Sequence, residues 1–112
     1  MLVFKIFRRP EWDALRDAGR TSGAPVDLAD GFIHLSTREQ VAETAARHFA
    51  GESDLVLVAV DADRLGDALK WEPSRGGALF PHLYRELRLS DVVWDKSLPL
   101  GATGHIFPEG VV

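Results

Sequence analysis

"DLVLVAVD", residues 54–61, is the stretch from which the fold is read. Leu55–Val60 is an unbroken apolar run, rich in valine, set between two aspartates. A half-exposed strand alternates apolar with polar positions, so a continuous β-branched run predicts a central strand covered on both faces. It is far too short to cross a bilayer, which takes about 20 apolar residues. Just upstream, Val41, Ala42, Thr44, Ala45, Ala46, Phe49 and Ala50 form one broad helical stripe that Gly51 ends. Ser36 or Thr37, with Glu39 or Gln40 three residues on, supplies its capping box. His48 is expected on the exposed side of this helix.

Before the helix stands "GFIHLS", residues 31–36, read as a strand. Alternation puts Ile33 and Leu35 on the core face and Phe32, His34 and Ser36 on the other. Residues 20–30, with Gly23 and Pro25, read as a polar loop. In "RRPEWDALRDAG", residues 8–19, Pro10 suits a first helical turn, Glu11 and Asp13 suit the positive end of the dipole, and Gly19 can close it. "LVFKIF", residues 2–7, is a first strand interrupted only by Lys5.

Downstream, "ALKWEPS" (68–74) and "SDVVWDKSLPL" (90–100) read as strands, with "RGGAL" (75–79) a flexible loop and 101–112 a turn-rich tail. "FPHLYREL" (80–87) resists assignment, because Pro81 suits neither a helix interior nor a central strand. The pattern predicts a single α+β domain over 1–112, with two N-terminal helices and strands in a mostly antiparallel or mixed arrangement.

Composition narrows the function. With 46% apolar and 27% charged residues, the chain has the make-up of a soluble globular protein. The net charge of −4 is spread in both signs, and no basic stripe suited to phosphate backbones is present, which disfavours general nucleic-acid binding. Zero cysteines exclude disulfides, thiolate catalysis and Cys-ligated zinc, and fit a reducing compartment. The first apolar run is short and its charges follow it, unlike a signal peptide, so a cytoplasmic protein without membrane association is expected.

The residues that could carry chemistry fall in two groups. His34, between Phe32 and Ser36 and just before a helix N-terminus, lies where a phosphate or carboxylate would be welcome. The plainer reading is a histidine bonded to a backbone carbonyl. The second group crowds Lys70, Trp71, Glu72, Arg75, His82, Tyr84, Arg85 and Glu86 together. Trp71 and Tyr84 offer flat faces for a ring, Glu72 an acceptor for sugar hydroxyls, and Arg75 a partner for phosphate. The plainer reading here is a solvated face with ordinary ion pairs.

There is no Gly-rich phosphate loop, nucleophile elbow or paired-His metal signature. His34, His82 and Glu72 are the residue types of a two-His-one-carboxylate site, but spacing neither supports nor excludes one, and no metal is expected. Ser36 and His34 are same-face strand neighbours, a poor geometry for a nucleophile and its base. His48 and His105 read as structural or solvated, and Trp12 and Trp94 as core anchors.

"GFIHLSTREQ" with "LKWEPSRGGALFPHLYREL" resembles a family of small, mostly bacterial proteins known as domain of unknown function family 952. The resemblance runs from "VFKIF" through "VVWDKSLPL" and implies an ADP-ribosyltransferase-like fold, with an NAD pocket between two small mixed or antiparallel sheets. In that wider superfamily a first-strand His or Arg holds the NAD ribose; Lys5 occupies the corresponding place. His34 and Ser36 fall where a second strand lines the nicotinamide pocket. A late glutamate activates the ribose 2′-hydroxyl, and Glu72 or Glu86 would serve.

Three functions stay open. The first is a glycosyl or ADP-ribosyl-type transferase using NAD, with His34, Glu72 and His82 catalytic. Lys5, Phe32, Ser36, Trp71, Arg75 and Tyr84 would then bind the ligand. The second is a non-catalytic module for a nucleotide or small anionic metabolite. The third is a small hydrolase or isomerase with His34 and His82 as an acid–base pair. A glutamate within reach of the pocket that holds His34 would favour the first.

Overall fold

The computed structural model describes residues 1–111. Strand β1 (Leu2–Arg8) leads into helix α1 (Arg9–Ala18). Pro10 lies in the first turn of α1, and Gly19 ends it at φ 79°, its N–H donating to the Leu15 carbonyl at 2.7 Å. There follow β2 (Arg20–Thr21), α2 (Pro25–Asp30), β3 (Ile33–His34), α3 (Arg38–His48) and β4 (Leu55–Asp61). The second half runs α4 (Ala62–Leu65), β5 (Leu69–Pro73), β6 (Leu79–Leu83), β7 (Leu87–Arg88), β8 (Val92–Leu98), β9 (Leu100–Gly101) and β10 (Gly104–His105).

The structure is α+β, with every strand pairing antiparallel. One sheet has the order β1–β4–β8 and another the order β3–β6–β5; β2–β7 and β9–β10 are short ribbons. The two larger sheets are stitched together at Phe4 and Ser36, which exchange backbone hydrogen bonds of 2.7 and 2.9 Å. "GFIHLS" therefore begins in one sheet and ends against the other.

The run Leu55–Val60 does form the central strand. Val56, Val58 and Val60 enter a core with Val3, Phe7, Trp12 and Leu15, roofed by Ile33, Leu35 and Leu83 of the second sheet segment. Leu55, Leu57 and Ala59 enter the other core, with Phe4, Ile6 and the α3 residues Val41 and Ala45. Each fully buried Val or Leu contributes about 1.5–3 kcal/mol by leaving water.

Several expectations are corrected. Residues 20–30 are β2 and α2 rather than a loop, and among the described residues four helices stand where two were expected. The stripe of α3 is narrower than its apolar composition: Ala42, Ala46 and Ala50 are exposed, because alanine is as much a helix former as a core residue. The turn-rich tail contains the β9–β10 ribbon, and residues 75–77 of the "RGGAL" loop form a 3₁₀ turn. Pro81 lies in β6, the central strand of its sheet, opposite Trp71. Its carbonyl accepts from Leu35 N–H at 3.0 Å, so its missing donor falls on the same side, just where β3 has ended.

Candidate functional site

Between β1, the start of α2, α3 and the second sheet lies a cleft of about 670 Å³, to which Lys5, Asp30, His34, Ser36, Arg75 and His82 contribute. Its wall is organised by a residue the sequence reading passed over, Asp27. The segment "APVDLADG" has the marks of a short helix: Pro25 at the first position, an acid at the third, and Gly31 closing it at φ 86°. Those marks place Asp27 with its side chain fully buried. One oxygen, Oδ2, accepts from the Ala24 N–H and from Lys5 Nζ, both at 2.7 Å. The other, Oδ1, meets His34 Nδ1 at 2.6 Å and accepts from the His34 N–H at 3.0 Å.

Burial alone would raise the Asp27 carboxyl. The hydrogen bonds from His34 and the charge of Lys5 overcome that and hold its pKa at about 2. Lys5 shares a strand face with Val3 and Phe7, and burial lowers its pKa despite the attraction of Asp27. The second ring nitrogen of His34, Nε2, lies 2.9 Å from Asp30 Oδ2. Both nitrogens therefore address carboxylates, and only the doubly protonated ring donates to both.

The cross-strand partner of His34 is His82. Their ring centroids are 5.6 Å apart, and Phe32 packs against both, at 4.6 and 4.1 Å. His82 Nδ1 is 2.8 Å from Glu72 Oε1, which also accepts from the Tyr84 hydroxyl at 2.7 Å. Hydrogen bonds from Tyr84 and His82 lower the Glu72 pKa, and that from Glu72 raises the Tyr84 pKa. Each imidazole is thus held by its own carboxylate, the arrangement that fixes ring orientation where a histidine handles protons.

The sequence-derived residues are brought together unevenly. Lys5, His34, Ser36, Arg75 and His82 share the cleft. Glu72 reaches it only through His82. Tyr84 and Phe32 line a smaller hollow of about 270 Å³ beside it, which also takes in Glu86. Glu86 pairs loosely with Arg20 at 3.9 Å. Trp71 stands on the outer strand β5, 40% exposed and outside both hollows.

His48 is exposed, as expected, on the side of α3 that borders the cleft. Its spacing of seven from Val41 and four from Thr44 puts it on the edge of α3 nearest the cleft. His105 is structural, its Nε2 lying 2.8 Å from the Glu52 carbonyl. Among the described residues no three His, Asp or Glu side chains are grouped to hold a metal ion, so His34, His82 and Glu72 form no such site. Nor is any described helix long and apolar enough to cross a membrane.

The model of a family described as "Protein of unknown function (DUF952)" matches residues 6–95. The chain belongs to that family. Among solved structures, the chain is similar to the X-ray structure of protein CC0527 from Caulobacter crescentus, at 57% identity over 94% of this chain and 92% of that one, with a TM-score of 0.90. The solution NMR structure of CC0527 gives 58% identity over 93% and 90% of the two chains, with a TM-score of 0.83. A double mutant of CC0527 is similar at 55% identity over 94% and 92%, with a TM-score of 0.90. No curated protein matches the chain.

Proposed function

We propose that the cleft binds a nucleotide of the NAD or ADP-ribose type, with His34 on the wall that receives it. The observation that carries this reading is His34 itself: its side chain is one-third exposed to the cleft while its backing carboxylate, Asp27, is fully buried. A histidine kept only for packing has no need of a buried anion to aim it. The cleft volume lies within the range of small-molecule sites, and its lining mixes Phe4, Ile6 and Phe80 with convergent polar groups. Two antiparallel sheets meeting beside the cleft support an ADP-ribosyltransferase-like reading of the fold, and the absence of cysteine fits a cytoplasmic protein.

Among the described residues no glutamate lines the cleft; its one carboxylate, Asp30, is held by His34, and Glu72 is engaged by His82 and Tyr84. That favours binding over ribosyl transfer, which asks for a carboxylate at the sugar hydroxyl. One observation favours a second reading, an acid–base enzyme: the paired imidazoles of His34 and His82, each oriented by its own carboxylate. Calorimetric titration of NAD, ADP-ribose and nicotinamide into the protein and into His34→Ala tests the first. Binding that the variant loses supports a site at His34; silence with all three rejects it.

A further inference from the structure

Arg75 is carried over the cleft by the turn between β5 and β6, which Gly76 and Gly77 close at φ 69° and 81°. Its guanidinium packs over the Phe80 ring at 4.8 Å, and Nη2 donates to Thr44 Oγ1 at 3.1 Å. The other terminal nitrogen, Nη1, is buried and makes no hydrogen bond among the described residues. Glu43 Oε1 stands 4.0 Å from it, beyond hydrogen-bonding reach, and is engaged by Arg47 at 2.9 Å. A buried guanidinium donor with no acceptor is costly unless something else accepts from it. Around it, Thr44 Oγ1 gives its proton to the Gln40 carbonyl at 3.1 Å, so the Ser36 hydroxyl donates to Thr44 at 2.8 Å. One turn further along α3, His48 lines the same cleft.

We propose that this end of the cleft is a subsite for the pyrophosphate of an NAD or ADP-ribose-type nucleotide, two negative charges shared by two phosphates, received between Arg75 Nη1 and the His48 ring near Ser36 and Thr44. The proposal deepens the nucleotide reading by assigning the phosphate to this end and the sugar and base to the His34 end. Arginine with a protonated histidine is a donor pair matched to phosphate oxygens, and the Ser36–Thr44 hydroxyl chain, whose protons are already committed, holds the guanidinium in place.

The charge environment has a consequence for pH. Burial, then the charges of Arg75, Arg47 and His34, lower the pKa of His48. Of the other ionisable groups on this cleft, Lys5 is paired with Asp27, Arg8 with Glu52, Asp30 with His34 and His82 with Glu72. Glu43, on the same helix, is held by Arg47. A dianion beside Arg75 offsets the burial and the positive charges that disfavour the protonated His48 ring, so binding takes up a proton and weakens as pH rises.

The test is an NMR titration of the full chain with inorganic phosphate and with sulfate at constant ionic strength, on the native protein, Arg75→Gln and Arg75→Lys. ADP-ribose is run in parallel. Saturable shifts confined to Ser36, Thr44, His48 and the 74–77 turn are expected, with a dissociation constant of about 1 mM. Arg75→Gln should weaken binding by about tenfold or more, and Arg75→Lys by less, since lysine keeps the charge. Sulfate does not titrate near neutrality, so a fall in its affinity as pH rises, lost in His48→Gln, reports His48.

Shifts that do not saturate, or that Arg75→Gln leaves unchanged, mean an adventitious ion only and overturn the proposal. Phosphate at this end with no ADP-ribose binding would keep the subsite and remove the nucleotide reading. ADP-ribose bound at His34 with undiminished affinity in Arg75→Gln would do the reverse.

Discussion

Asp27 and His34 are joined twice through one oxygen: Oδ1 meets the ring Nδ1 at 2.6 Å and the backbone N–H at 3.0 Å. The imidazole is fixed in direction by a group that is itself fixed, because the other Asp27 oxygen is bound by Lys5 and by the Ala24 N–H. Removing the charge of Asp27 strands Lys5 in the core. Asp27→Asn is expected to lose about 3–5 kcal/mol in denaturant unfolding, and Lys5→Met in the same chain to restore a substantial part of it. Equal losses in the single and double variants would mean that Lys5 does not depend on Asp27.

The same carboxyl sets an acid limb of stability. It titrates at 3.8 when unfolded and at about 2 when folded, so below the first value the unfolded chain binds the extra proton and stability falls. The contribution is about 2 kcal/mol, present in full above about pH 5 and lost as pH falls through about 4 to 2. Denaturation midpoints against pH should lose this share of the acid limb in the Asp27→Asn, Lys5→Met chain.

Gly23 protects the same group from outside. It lies at φ 106°, and a Cβ built there would overlap the Asp27 carboxylate and its Cβ. Gly23→Ala is expected to destabilise by about 1–3 kcal/mol and to displace the His34 ring resonances, whereas overpacking at a yielding site would leave the ring untouched.

Tyr84 is the sole tyrosine of the chain, so its ionisation can be followed without interference. The hydrogen bond it donates to Glu72 Oε1 raises its pKa above 10. A spectrophotometric titration should show that pKa falling in Glu72→Gln, where the carboxylate charge is gone. An unchanged titration would mean that the Glu72–Tyr84 bond does not persist in solution.

Much of this was legible in the sequence. The unbroken run Leu55–Val60 disclosed a doubly covered strand, and alternation in "GFIHLS" correctly separated Ile33 and Leu35 from His34. Strand β6 was harder, because a proline in a central strand is tolerated here only through the two-residue length of β3. Asp27 was hidden for a different reason: its partners Lys5 and His34 come from separate strands, and no local pattern marks such a meeting. Its helix was nonetheless signalled by Pro25 and Gly31. Trp71 shows the limit of residue type as a guide, an aromatic suited to stacking that stands outside the cleft.

The measurement that tests the nucleotide site most directly is the map of amide shifts when ADP-ribose is added to the ¹⁵N-labelled protein. Binding in the cleft should give saturable shifts along residues 32–36, in the 24–30 segment and at His82, and His34→Ala should abolish them. Shifts absent at saturating ligand, or centred on the exposed face of β5 around Trp71, would contradict a nucleotide site at His34.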